Sequence, residues 1–200
     1  MSTVDGRTAR ALRTRAAVVE ALLAITAEGE LKPTADRIAD RAGVSLRTLW
    51  TNFKDMETLY AAAGDRLTEL QLAEHREVAA DLPLQRRVEE FCRQRARMLE
   101  IVAPAARASA LRKPFSAHLR AYREAQNARV RAEIDVLFRY ELDAAGTGRE
   151  QVLLAVLAAT TWPAWSMLRD DCELDVDAAC AVMIRTVTAL LATALATSAH

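Results

Sequence analysis

Apolar residues recur along this chain with a helical period of about 3.6, interrupted at regular distances by capping residues, Gly and Pro. Across 8–28, Leu12, Ala16, Val19, Leu22, Leu23 and Thr26 fall on one side, with Arg and Glu elsewhere. That stripe predicts a surface helix, ended by Gly29. Thr34 after Pro33 is a helix N-cap with Asp36 in the first turn, and the short helix it opens runs to about Arg41. Gly43 then interrupts, Ser45 offers a second cap, and a helix follows to Thr51 or Asn52. Asp55 offers a third cap, opening a long helix through roughly Ala79.

Later elements are longer. Pro83 and Pro104 punctuate the next stretch, and Pro114 suits the first turn of a helix reaching Leu142. Gly146 and Gly148 mark a loop. Two further helices, 149–169 and 175–197, are apolar around much of their circumference. The expectation is an all-α chain of about nine helices, short ones first and long ones afterwards. Composition agrees: 52% of the 200 residues are hydrophobic and only six Gly and five Pro break the pattern.

The run 34–53, TADRIADRAGVSLRTLWTNF, carries the chemistry. A helix-turn-helix needs a small residue where two helices cross, and Ala39 supplies it. Its turn needs a residue that tolerates a left-handed backbone, and Gly43 follows four positions later. Ile38, Ala42, Val44 and Leu49 can pin both helices to a third. Ser45, Arg47, Thr48, Thr51 and Asn52 remain on the outer side of the second helix, and Trp50 faces either the groove or the neighbouring helices.

Thr34, Ile38, Ala39, Ala42, Gly43, Val44, Ser45, Thr48, Leu49, Phe53, Glu57 and Leu59 together resemble the N-terminal motif of the tetracycline-repressor (TetR) family of transcriptional regulators. The resemblance covers about residues 10–60; beyond it the chain is similar in length and helical character. Two positions depart from the family pattern: Trp50 stands where Tyr is usual, and Met56 where a phosphate-binding Lys is usual, with Lys54 two residues earlier. The resemblance implies a DNA-binding domain over 1–54 and a helical ligand-binding and dimerisation domain over 55–200. It implies that the helix after Ser45 enters the major groove of a double-stranded DNA operator. There Arg47 reads guanine through its fork, with Thr48, Trp50 and Asn52 adding base or phosphate contacts. Thr34 with the helix behind it, Lys54 and the early arginines hold phosphates, which position the protein without specifying sequence.

Charge enters at this point because the net value is zero, with 27 Lys/Arg against 27 Asp/Glu. Its distribution is uneven: residues 1–54 carry nine basic against six acidic residues. Arg7, Arg10, Arg13 and Arg15 fall before residue 16, opposed only by Asp5. A local basic arm matters more to a phosphate backbone than the molecular sum. The same arginines also fit a solvated helix face.

In the last helix, Val182, Met183, Thr186, Val187, Leu190, Leu191, Ala194 and Leu195 form a broad apolar face. It suits a homodimer built through the last two helices, which a reader of two half-sites requires, and it also fits intramolecular core. The resemblance further implies a cavity for a small-molecule effector, with Phe91, Arg95, Met98, Phe115, His118, Tyr122, Gln126, Trp162 and Trp165 as candidate lining. Each of these also fits ordinary core or surface.

Other classes find less support. No HExxH, CxxC pair, phosphate-cradling Gly-rich loop or Gly-x-Ser-x-Gly occurs, and His75, His118 and His200 are far apart. No enzyme activity, metal or cofactor is expected. Cys92, Cys172 and Cys180 read as small buried apolar residues in a reducing compartment. The apolar run 152–162 is shorter than the about 20 residues of a membrane span, and Arg185 interrupts the last helix. The expected location is the cytoplasm. A helical small-molecule-binding or interaction protein with weakened or lost DNA binding is the alternative, favoured by Trp50 and Met56.

Overall fold

The computed structural model describes residues 6–110 and 116–197, except the side chains of Arg7 and Thr197. All regular structure among them is helical: α1 (Gly6–Ala27), α2 (Ala35–Arg41), α3 (Leu46–Asn52), α4 (Met56–Glu74), α5 (Leu84–Ala110), α6 (Ala117–Leu137), α7 (Arg139–Ala144), α8 (Arg149–Ala159), α9 (Trp162–Ser166) and α10 (Val176–Thr197). The chain forms two compact units. Unit 1 holds residues 1–73 and 104–122, unit 2 holds 74–103 and 123–200.

Unit 1 is built on a core of Val18, Leu22, Ile25, Ile38, Leu49, Phe53 and Leu59, each 2% exposed or less. Burying side chains of this size contributes about 1.5–3 kcal/mol apiece, which holds two seven-residue helices too short to persist alone. Met56, which stands at the departure from the family pattern, is half-buried against this core.

Unit 2 packs α10 against α7 and α8. Ala179, Met183, Val187, Leu191 and Ala194 line the inner side of α10 at steps of three and four residues. The segment Val176–Ala196 is long and apolar enough to cross a membrane by length and composition, with a mean hydropathy of 1.8. It surpasses the 152–162 run in this respect despite Arg185. Its inner side is the middle of the unit's core.

Helix boundaries differ from the sequence reading at four places: the helix expected over 149–169 is broken at Thr160 and Thr161 into α8 and α9, and three further differences follow, the first and the last through a long-range contact. The helix after Asp55 ends at Glu74, not near Ala79. Gln94 of α5, 2% exposed, accepts the Arg76 N–H at 2.6 Å and draws the chain out of its helix. Next, α5 runs through Pro104 as one helix of 27 residues. Finally, the helix expected to reach Leu142 stops at Leu137 and resumes as α7. At the break, Phe138 has φ −112° and ψ 24° and inserts edge-on against Phe91, 5.5 Å between centroids. Arg87 takes the freed Leu137 carbonyl at 2.7 Å and pairs with the buried Glu141 carboxylate at 2.6 and 3.1 Å. Pro114, expected to open that helix, lies outside the described residues.

Candidate nucleic-acid interface

Local chemistry sets the helix-turn-helix. Thr34 Oγ1 accepts the Arg37 N–H at 3.2 Å and Ser45 Oγ accepts the Thr48 N–H at 3.1 Å, so both short helices are capped by their own sequence. Between them Gly43 takes φ +66°, the left-handed conformation that lets the Val44 N–H return to the Ala39 carbonyl at 3.0 Å. Asp55 opens α4 by accepting from the Thr58 N–H and hydroxyl, both at 2.8 Å. Those two donors hold its carboxyl below the usual carboxylate range.

With Leu49 and Phe53 fully buried, α3 turns its other side outward. Leu46, Arg47, Trp50 and Thr51 are exposed on this face, with Ser45 before them and Lys54 after. Trp50 is 39% exposed and is no part of the core. Thr48 and Asn52 flank the face half-buried. Several polar groups here are already engaged. The Thr48 hydroxyl lies 2.8 Å from Ser45 Oγ, Thr51 Oγ1 donates to the Arg47 carbonyl at 2.8 Å, and Asn52 Nδ2 donates to the Thr48 carbonyl at 2.9 Å.

The cations of α1 to α3 and their connections divide by partner. Arg37 lies 3.5 Å from Glu30, and Arg41 holds Glu28 by a fork-to-carboxylate pair that raises the arginine and lowers the glutamate. Among the described residues, Arg10, Arg13, Lys32, Arg47 and Lys54 have no carboxylate within ion-pair distance. Exposed positive charge without an ion-pair partner is what a polyanion meets first.

Arg15 has a role that spacing does not reveal. Its Nη1 donates to the Asn52 carbonyl at 2.7 Å, and its guanidinium carbon sits 4.2 Å from the centroid of the Phe53 ring. It thereby ties α1 to the C-terminal end of α3. A helix stripe displays no such contact, because its partners lie 37 residues away.

The candidate effector residues are divided between the units. Phe91, Arg95, Met98 and Trp165 are buried in unit 2, Trp162 and Gln126 half-buried there. His118 is exposed and Tyr122 half-buried in unit 1, the Tyr122 ring 3.1 Å from where a side chain on Gly64 would begin. Phe115 lies outside the described residues. Trp165 Nε1 donates to Glu100 Oε1 at 2.8 Å, which also accepts from Arg169 Nε at 3.1 Å. Among the described residues, no three His, Cys, Asp or Glu side chains cluster as a metal site would require.

No family model matches the chain, and no curated protein matches it. Among solved structures it is similar to a transcriptional regulator from Rhodococcus sp. Rha1, with a TM-score of 0.66 and 20% sequence identity over 92% of this chain and 96% of that one. A likeness at that identity is a likeness of fold. It extends across both units, well beyond the helix-turn-helix.

Proposed function

We propose that this chain is a DNA-binding transcriptional regulator of the tetracycline-repressor type. It acts in the cytoplasm as a homodimer and represses until a small molecule releases it from a palindromic operator. The observation that carries the reading is the outer face of α3, where Arg47 and Trp50 stand exposed and Arg47 and Lys54 lack ion-pair partners among the described residues. A fold shared with a transcriptional regulator supports it. In this reading Arg47 reads a base, and Thr48, Trp50 and Asn52 add base or phosphate contacts. Ser45, Thr34, Lys54, Arg10 and Arg13 lie along the phosphates.

Of the face expected to pair, Met183, Val187, Leu191 and Ala194 are instead buried in the core of unit 2; pairing is supported by the outer side of α10. Val182, Thr186, Ala189 and Thr193 are exposed along it at helical spacing. The Thr186 and Thr193 hydroxyls donate to the Val182 and Ala189 carbonyls, at 2.9 and 2.8 Å, so the stripe presents mostly carbon. Leu154 of α8 is 45% exposed as well. Small apolar residues of this kind let helices from two copies meet closely. Effector binding belongs to unit 2, where Phe91, Arg95, Met98 and Trp165 are buried together with half-buried Trp162. An effector represses DNA binding by favouring a dimer whose recognition helices are mis-spaced for the operator.

Selection from a random DNA library with the full chain tests the reading. An enriched inverted repeat, with half-sites about one or two helical turns apart, is expected. Recovery of unrelated sequences would overturn it in favour of a helical binding module without DNA recognition.

A further inference from the structure

Two arginines of α5 are buried almost equally, Arg87 at 8% exposure and Arg95 at 9%. Their surroundings differ. Arg87 donates to the Leu82 and Leu137 carbonyls and to both oxygens of Glu141, a bidentate carboxylate pair. Arg95 has one acceptor: its Nε and Nη2 both donate to the Thr160 carbonyl, each at 3.2 Å. A guanidinium carries five N–H donors, so Nη1 and the second hydrogen of Nη2 meet no acceptor among the described residues. No carboxylate lies within ion-pair distance of it there either. Glu133 acts on Arg95 through space, and its Oε1 accepts from Gln94 at 3.1 Å.

A buried cation is ordinarily paired with an anion; Arg95 has none among the described residues, and its Nη1 is not fully enclosed, so a small anion can reach it. Arg95 cannot escape by losing its proton, since guanidinium stays charged in proteins. The cost is visible in direction: burial pushes its pKa below the ordinary arginine value. What Arg95 lacks is what Glu141 gives Arg87.

We infer that Arg95 receives the carboxylate of an organic acid with an apolar body, bound within unit 2. The inference deepens the effector reading proposed above and rests on it. The free donors of Nη1 supply the anion's hydrogen bonds. On the same side of α5, Phe91 and Cys92 lie one turn before Arg95 and Met98 and Leu99 one turn after, all buried. The Thr160 carbonyl that orients the guanidinium stands at the break between α8 and α9, five residues before Trp165. Trp165 spends its N–H on Glu100, so what it offers a ligand is its ring. A charged head against Arg95 and a hydrocarbon body against these side chains is the complement of the site.

The probes are octanoate and octan-1-ol, equal in length and differing in head charge, titrated into the full chain without DNA. Binding is followed by tryptophan fluorescence and by the thermal unfolding midpoint. The acid is expected to bind at least about tenfold more tightly than the alcohol. Arg95→Gln, which keeps a donor for Thr160, is expected to erase that difference, and Arg95→Lys to keep part of it. Equal binding of acid and alcohol overturns the inference, as does an acid preference that survives in Arg95→Gln, or no binding of octanoate, decanoate or benzoate. Stabilisation by chloride or phosphate equal to that by octanoate also overturns it, leaving a simple anion site. Should Arg95→Gln fail to fold, the wild-type pair and Arg95→Lys still decide. None of these readouts uses DNA, so a failure here and a failure of the DNA-binding proposal are separately visible.

Discussion

Replacing Arg15 by Ala distinguishes a residue that builds the recognition helix from one that merely touches DNA. The Asn52 carbonyl is one of the last in α3 and has no acceptor role left within the helix, since Phe53 leaves with φ −132° and ψ 123°. Arg15 satisfies it at 2.7 Å with a charged donor at the negative end of the helix dipole. For a part-buried bond of this type about 1.5 kcal/mol applies, the low end for charged donors. The stacking over Phe53 adds about 0.5–1 kcal/mol. The loss is therefore about 2 kcal/mol, a sizeable part of the about 5–15 kcal/mol that holds a typical protein folded. With a urea slope of about 2 kcal/mol per molar, the midpoint of unit 1 moves down by about 1 M in the absence of DNA. Arg15→Lys retains the charge without the planar fork and recovers roughly half. An unchanged midpoint in Arg15→Ala, together with weakened DNA binding, would refute the argument and make Arg15 a phosphate contact.

Other perturbations follow from the same structure. Gly43→Val meets no atom within 4 Å but must adopt φ +66°, so unit 1 should lose about 1–2 kcal/mol in urea unfolding, and Gly43→Asn clearly less. Burial pushes the Cys92 thiol up to about 12 and raises Cys180, whereas Cys172, expected from the sequence to be buried, is exposed; a thiol reagent at pH 8 should therefore modify Cys172 rapidly and the other two only on unfolding. Because the folded value for Cys92 exceeds the ordinary 9.0, its contribution is intact below pH 9 and lost as pH rises towards 12, and Cys92→Ala should flatten that part of an alkaline unfolding curve. Val182→Glu places a charge on the outer stripe of α10, where Val182 is 40% exposed; it should leave the fold intact, shift sedimentation from dimer to monomer and weaken operator binding by about a hundredfold or more.

The parts of the fold legible in the sequence are those written in local chemistry. Thr34, Ser45 and Asp55 each bond an amide three residues on, and Gly43 serves a turn between adjacent helices, so a short window contains both the signal and its consequence. In the sequence Trp50 fits either the groove or the neighbouring helices, and the structure, with Leu49 and Phe53 inward, leaves it exposed. What spacing could not display depends on partners far along the chain. The break at Phe138 needs Arg87, 50 residues from the carbonyl it takes, and the end of α4 needs Gln94. Pro104 reads as punctuation, yet α5 continues through it. Phe91, Met98 and Trp165 share one apolar period whether they face core or ligand, and helical spacing cannot separate the two. For Arg95 the informative fact is that no carboxylate stands beside it among the described residues, whereas Arg87 on the same helix has one.

The central claim is that the outer face of α3 reads DNA, and fluorescence anisotropy on a labelled duplex of the selected sequence tests it most directly. Wild type, Arg47→Ala and Lys54→Ala are titrated at two salt concentrations beside a scrambled duplex. Tight binding to the selected duplex alone, weakening steeply with salt, is expected. Arg47→Ala should cost about 1–3 kcal/mol and relax the preference, while Lys54→Ala weakens both duplexes alike and lowers the salt slope by about one. Equal, weak binding to both duplexes, unmoved by either substitution, would contradict it.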